Sequence, residues 1–225
     1  MTMARGWLYP LMALACAVIV FVGFAPTYFL RAADADPLPF LTHVHGLAYT
    51  GWVLLLITQT MLIAGSRKEL HKSLGYAGAA LAVGMVVLGV IVSLASARRG
   101  VQLGQADEAR SFLLIPLGAM LSFSIFIGFG VLNRARPDRH RRYMLLSTIA
   151  ILPAAIGRIP ALADPGPFLV CFISLLAVVP IVDRLKGRPM SAISVWGGLA
   201  LVVWELGRFL ASETAAWRAV AERLV

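Results

Sequence analysis

The chain has four histidines, all near the ends of apolar runs, and these are the side chains best suited to hold a cofactor. Imidazole is an axial ligand of haem and the commonest side-chain ligand of transition metals. His43 and His45 lie near the start of one run, in Thr42-His43-Val44-His45. Residues two apart project about 200° apart on a helix, so these two cannot both face one metal ion if the helix is regular. His45 shares a stripe with Tyr49, Trp52 and Gln59, the pattern of a face lining a bundle interior. Arg158 ends a later apolar run, while Glu205 and Arg208 lie three apart near the end of the last one and can pair on one helix face. That face continues through Gly198 and Ser194. A converging set of His43, His45, Arg158, Glu205 and Arg208 offers contacts for a metal, a haem propionate or a quinone headgroup. The competing structural reading makes the histidines interfacial helix-start residues, with Arg158 and Arg208 snorkelling beside Glu205.

His71 and His140 form a second set at the opposite depth. Each precedes an apolar run and is followed by a base, Lys72 or Arg141. Sharing a depth, they can form a bis-histidine haem b site, with Arg67, Lys72, Arg139, Arg141 and Arg142 available for propionates. The alternative is that both sit in basic loops that set orientation. A haem joining the two sets is excluded by distance. The 18 residues from His140 to Arg158 span about 27 Å of helix.

These groups need elements to hold them, and composition decides which. Of 225 residues, 60% are hydrophobic and 14% charged. A soluble domain carries about 25% charge, so the composition is that of a membrane protein. A spanning helix needs about 20 mainly apolar residues. Seven segments fit this: 7–30, 38–64, 74–97, 112–132, 143–162, 167–182 and 193–210. Strand-like alternation is absent, so the expected fold is all-α, one polytopic transmembrane bundle of seven helices over 1–225. Residues 211–225 read as a short amphipathic tail, with Trp217 and alternating charges. Pro116, Pro153 and Pro180 fall inside helices and predict kinks. Gly75, Gly78, Ala79 and Ala82 predict close helix approach.

With the N-terminus cytoplasmic, the inner segments hold 12 of the 20 Lys and Arg, counting Arg5. The positive-inside rule therefore favours N-in and C-out. The net charge of +9 is spread between apolar runs, which points to anionic lipid headgroups as partner and away from nucleic acid. Cys16 and Cys171 lie in apolar runs with no zinc spacing, so neither a disulfide framework nor a structural zinc site is expected. Chain length leaves no room for a soluble catalytic domain. No membrane lysine is present for retinal, and no ladder of arginines for a voltage sensor. An intramembrane protease motif is missing too.

The residue order also resembles a family of small bacterial seven-helix membrane proteins of uncharacterised function. The resemblance is carried by Thr42-His43-Val44-His45-Gly46 with Trp52 and Gln59, by Leu70 to Tyr76, by Arg136 to Leu146 with Pro153-Ala154 and Arg158, and by Gly197-Gly198 with Glu205, Arg208 and Trp217. It implies the fold and a multi-pass place in the bacterial inner membrane, and it implies no activity. The family pattern has an Asp where this chain has Ala119, and His-Pro where it has Pro189-Met190. Sites built on those groups do not carry over. Two functional classes remain. One is a redox protein binding haem or quinone, with the outer-leaflet set of His43, His45, Arg158, Glu205 and Arg208 as the expected site ahead of His71 and His140. The other is a non-enzymatic small-solute transporter or a membrane-complex assembly or interaction subunit. A small hydrophobic ligand and an oligomer are compatible with either.

Overall fold

The computed structural model describes residues 6–225, so Arg5 lies outside the described residues. Its helices are α1 (Leu8–Phe24, extended by a π-helical turn over Ala25–Phe29), α2 (Phe40–Ala64), α3 (Lys68–Gln102) and α4 (Ala106–Leu132). They are followed by α5 (Pro137–Ile151), α6 (Pro153–Ile156), α7 (Pro165–Leu185), α8 (Ala192–Ser212) and α9 (Ala215–Ala221). No strand occurs among the described residues. Six helices are long and apolar enough to cross a membrane. The chain is a multi-pass, all-helical membrane protein, which is the expected class.

The fifth apolar segment differs from the other six. Expected as one helix over 143–162, it is instead α5, α6 and a 3-10 turn over Pro160–Leu162. Pro153 is the cause. It has no N–H to offer the Ile149 carbonyl, and its ring crowds that turn. The Ile149 carbonyl instead accepts from Leu152 at 3.1 Å, and the chain re-enters a helix from there. α5 also begins further back than expected, at Pro137, which favours the first helical position. The Arg139–Arg142 stretch is therefore helix rather than loop.

Helix contacts sort the helix ends into two groups. In the first, the Arg141 guanidinium at the start of α5 stacks 5.0 Å over Tyr9 near the start of α1. Gln59 near the end of α2 donates to the His71 carbonyl in the first turn of α3. Arg142 reaches the end of α7 and the start of α8. In the second group, Gly23 near the end of α1 meets α6. A Cβ there would fall 2.3 Å from the Ala155 carbonyl oxygen, so only glycine fits. Phe168 near the start of α7 packs edge-on to Phe209 near the end of α8. α9 closes this group over the ends of α3 and α4, where Ala221 buries against Ala97 and Leu113. Trp217 of α9 donates to the Arg110 carbonyl at 2.8 Å.

α3 shows how these sequences pack. Gly78, Ala82, Met85, Gly89, Ser93 and Ala97 recur every three or four residues and form its buried stripe. Small residues let backbones approach closely, which replaces the hydrophobic drive that lipid does not supply. Gly89 shows why: a Cβ there would meet Met120 Sδ at 2.3 Å and Tyr49 Oη at 2.5 Å. One core joins α1, α5, α6, α7 and α8 around Cys16, Ile149, Ile156 and Phe172. Another joins α2, α3 and α4 around Trp52, Met85 and Phe123. Trp52 ties the second core to α5 by donating its indole N–H to Thr148 Oγ1 at 3.1 Å.

Candidate functional site

His71 and His140 come together. One lies in the first turn of α3 and the other in the first turn of α5, with ring centroids 6.1 Å apart and planes at 84°. His140 Nδ1 lies 2.8 Å from the Gly130 carbonyl of α4. A carbonyl only accepts, so Nδ1 is the donor in this contact and Nε2 is the ring nitrogen left for a ligand. A backbone carbonyl on the far nitrogen is the usual way a ligating histidine is oriented. His71 Nδ1 is buried without a hydrogen-bond partner, and so is Gln59 Oε1 beside it. His71 and His140 could thus hold one metal centre between them, each supplying a ring nitrogen.

Of the five bases expected around this pair, three are committed elsewhere. Lys72 pairs with Glu69 at 2.9 Å, and Arg141 pairs with Asp138 and lies over Tyr9. Arg142 is 5% exposed and donates to Asp138, to Asp183 of α7 at 2.7 Å and to Ser194 of α8 at 2.8 Å. It is a structural hub, not a free base. Arg67 and Arg139 are exposed and make no ion pair among the described residues.

The other five residues do not form one cluster. His45 stacks on Tyr49 at 4.1 Å, and Tyr49 donates to the Met85 carbonyl at 3.0 Å and touches Met120 Sδ. Arg158 lies 4.7 Å over the Phe24 ring and acts electrostatically on His45. His43 is exposed and packs against Tyr28, which donates to the His43 carbonyl at 3.4 Å. Glu205 and Arg208 are 2% exposed and pair with each other on α8, as their spacing predicts. Arg208 also donates to the Ile115 carbonyl of α4, and its side chain covers Gly118. Because Tyr49 touches α4 at Met120 and Arg208 touches it at Ile115 and Gly118, α4 stands between the two subsets. Arg158, His43 and His45 form one subset, and Glu205 with Arg208 the other.

Sequence reading missed the network centred on Arg142. Asp183 is buried, and Ser194 had been read only as part of the Glu205 face. The one available signal was an acid, Asp183, next to an apolar run. A cleft of about 390 Å³ between α4, α8 and α9 was also unforeseen. It is lined by Asp107, Glu108, Ser111, Ile115, Phe209 and Ser212 among others. Among the described residues, no group of three or more His, Cys, Asp or Glu is placed to hold a metal ion. Comparison of the chain with protein-family models, with curated proteins and with solved structures finds no match.

Proposed function

We propose that this is a seven-crossing protein of the bacterial inner membrane, with its N-terminus cytoplasmic, that binds haem b between His71 and His140 in a redox role. The observation carrying this reading is the 6.1 Å approach of two imidazoles from different helices, one already oriented through its far nitrogen by Gly130. Arg67 and Arg139 supply unpaired cations for the propionates. Haem would bring the electron chemistry; the chain would bind it, orient it and exclude water. The seven-crossing reading is supported by α5 and α6 together. Their start touches the start of α1 through Arg141 and Tyr9, and their end touches the end of α1 through Ala155 and Gly23.

Absorption spectra of detergent-purified protein from haem-replete cells, oxidised and then reduced with dithionite, test the haem. A stoichiometric Soret band with a reduced α-band is expected. His71→Ala and His140→Ala should each abolish it, while the His43→Ala/His45→Ala double variant keeps it. A colourless, folded protein would overturn the reading.

A second reading, as a small-solute transporter or membrane-complex assembly subunit, has its own support. Glu205 Oε1 and Arg208 Nε are buried without partners, and the Ile115 carbonyl that Arg208 grips belongs to a residue lining the 390 Å³ cleft. Ionisable groups inside a membrane commonly mark a substrate path. A colourless protein that accumulates solute in proteoliposomes, and loses this with Glu205→Gln, would select it.

A further inference from the structure

The far end of the bundle from the histidine pair carries its own polar group. α1 ends in a π-helical turn, Ala25–Phe29, which carries Tyr28 toward the first turns of α2. The Tyr28 ring lies on Gly46, so closely that a Cβ there would come within 2.5 Å of Tyr28 Cζ. Gly46 is therefore what allows the aromatic ring to sit against the first turns of α2, where it also packs on His43. From the other side, the contact of Gly23 with Ala155 brings the chain after α6 against α1. Three residues later Arg158 lies over Phe24. The end of α1, the first turns of α2 and the chain after α6 thus meet at this end of the bundle, and Arg158 is near enough to His45 to act on it electrostatically.

Two donors at this meeting point are unused. His45 Nδ1 is buried and has no hydrogen-bond partner. Arg158 is exposed and makes no ion pair among the described residues; its one hydrogen bond runs back to its own helical turn, at the Ala154 carbonyl. A buried ring nitrogen left unpaired costs free energy unless something fills the position. A guanidinium with a planar fork of donors, stacked on an aromatic face, recognises carbonyl or anionic oxygen. Phe24 lies under the Arg158 guanidinium, Tyr49 stacks on His45, and Tyr28 adds a third ring against His43 and Gly46. That combination suits a flat, lipid-soluble molecule with a polar oxygen at its rim better than a bulky tetrahedral phosphate.

The geometry points to a binding site for the headgroup of an isoprenoid quinone at His45 and Arg158, with one carbonyl oxygen accepting from the imidazole Nδ1–H or the guanidinium. The choice of a quinone rests on the proposed redox role. The binding itself requires no haem.

The test uses detergent-purified full chain and decylubiquinone, with bound quinone measured by equilibrium dialysis. One saturable site per chain is expected. Arg158→Gln and His45→Phe should each weaken binding at least tenfold. His45→Phe keeps a ring on Tyr49 and removes the nitrogen, so it separates loss of the donor from loss of packing; unchanged far-UV circular dichroism checks the fold. His71→Ala should bind quinone like the parent, so failure of the haem reading and failure of this one are told apart. Absence of a saturable site overturns the inference, as does binding unchanged in both variants. Displacement of quinone by phosphatidylglycerol through the same two residues would make a lipid phosphate the ligand and overturn it as well.

Discussion

Among the described residues, Arg142 ties together more elements than any other charged side chain. It is buried, and it holds Asp138 on its own helix, Asp183 on α7 and Ser194 on α8. Removing one partner of a buried pair leaves an uncompensated charge, at a cost of about 3–5 kcal/mol. Arg142→Met should therefore lower the thermal unfolding midpoint sharply, and Arg142→Met/Asp183→Leu should recover most of the loss. A double variant no more stable than the single one would show that the network is not a closed pair. Asp138 answers to pH. Hydrogen bonds from Arg142, and then from Arg141, hold its carboxyl below the ordinary carboxylate range despite partial burial. A carboxyl depressed in the folded state stabilises above its unfolded pKa, and that contribution fades as pH falls through the folded value. Acidification below about pH 4 should thus destabilise the parent more than Asp138→Asn, while neither responds through this group between pH 5 and 8. The Glu205–Arg208 pair was readable in the sequence, because three residues on one helix fix its geometry. Arg142 was not readable. Its partners lie 41 and 52 positions away, and only the packing of α5, α7 and α8 brings them together.

At the scale of elements, most helices could be read from apolar run length, since a bilayer demands a nearly fixed span. Their ends could not. α3 extends over Lys68–Gln102, beyond its apolar stretch, because polar residues outside the hydrocarbon can continue a helix at little cost. The fifth segment broke at Pro153, where a kink was expected and a full break found. Whether a proline bends or breaks a helix depends on what its neighbours pack against, and here Pro153 and Ala155 are both buried. The Gly23 contact gives a sharp test. An added methyl cannot fit against the Ala155 carbonyl, and overpacking of this kind costs roughly 1–3 kcal/mol. Gly23→Ala should lower the unfolding midpoint, and it should weaken quinone binding by moving Arg158 away from His45. Gly84→Ala, which meets nothing within 4 Å, is the matched control. Equal behaviour of the two variants would refute close packing of α1 on α6.

For the whole molecule, charge is distributed unevenly between the two groups of helix ends. Along the sequence, the group containing the α5 start holds 12 basic residues, with Glu69, Asp138 and Asp183 as its acids. The opposite group holds 8 basic and 8 acidic residues, so the entire +9 lies on one side. On the proposed seven-crossing reading, the positive-inside rule would set that side toward the cytoplasm. Alkaline phosphatase fused after residue 225 should be active, and a fluorescent protein fused there should be dark; the reverse pattern would contradict seven crossings with the N-terminus inside. Membrane class and charge bias were legible because they are sums over many residues. The pairing of His71 with His140 was legible only as a shared depth, since which helices neighbour one another is not written in any local pattern.

The Arg142–Asp183 bond also imposes an order on biogenesis. α5 begins with three arginines and a histidine in its first six residues and is the least apolar of the long helices. On the seven-crossing reading it must enter the membrane before its main acidic partner exists. At about 5–20 residues per second of synthesis, the 41 residues to Asp183 represent roughly 2–8 s during which Arg142 faces the bilayer with only Asp138 to neutralise it. On that reading α5 is a conditional crossing whose arginine gains its α7 partner only when Asp183 arrives, and a chain interrupted between the two should leave that helix exposed to membrane quality control.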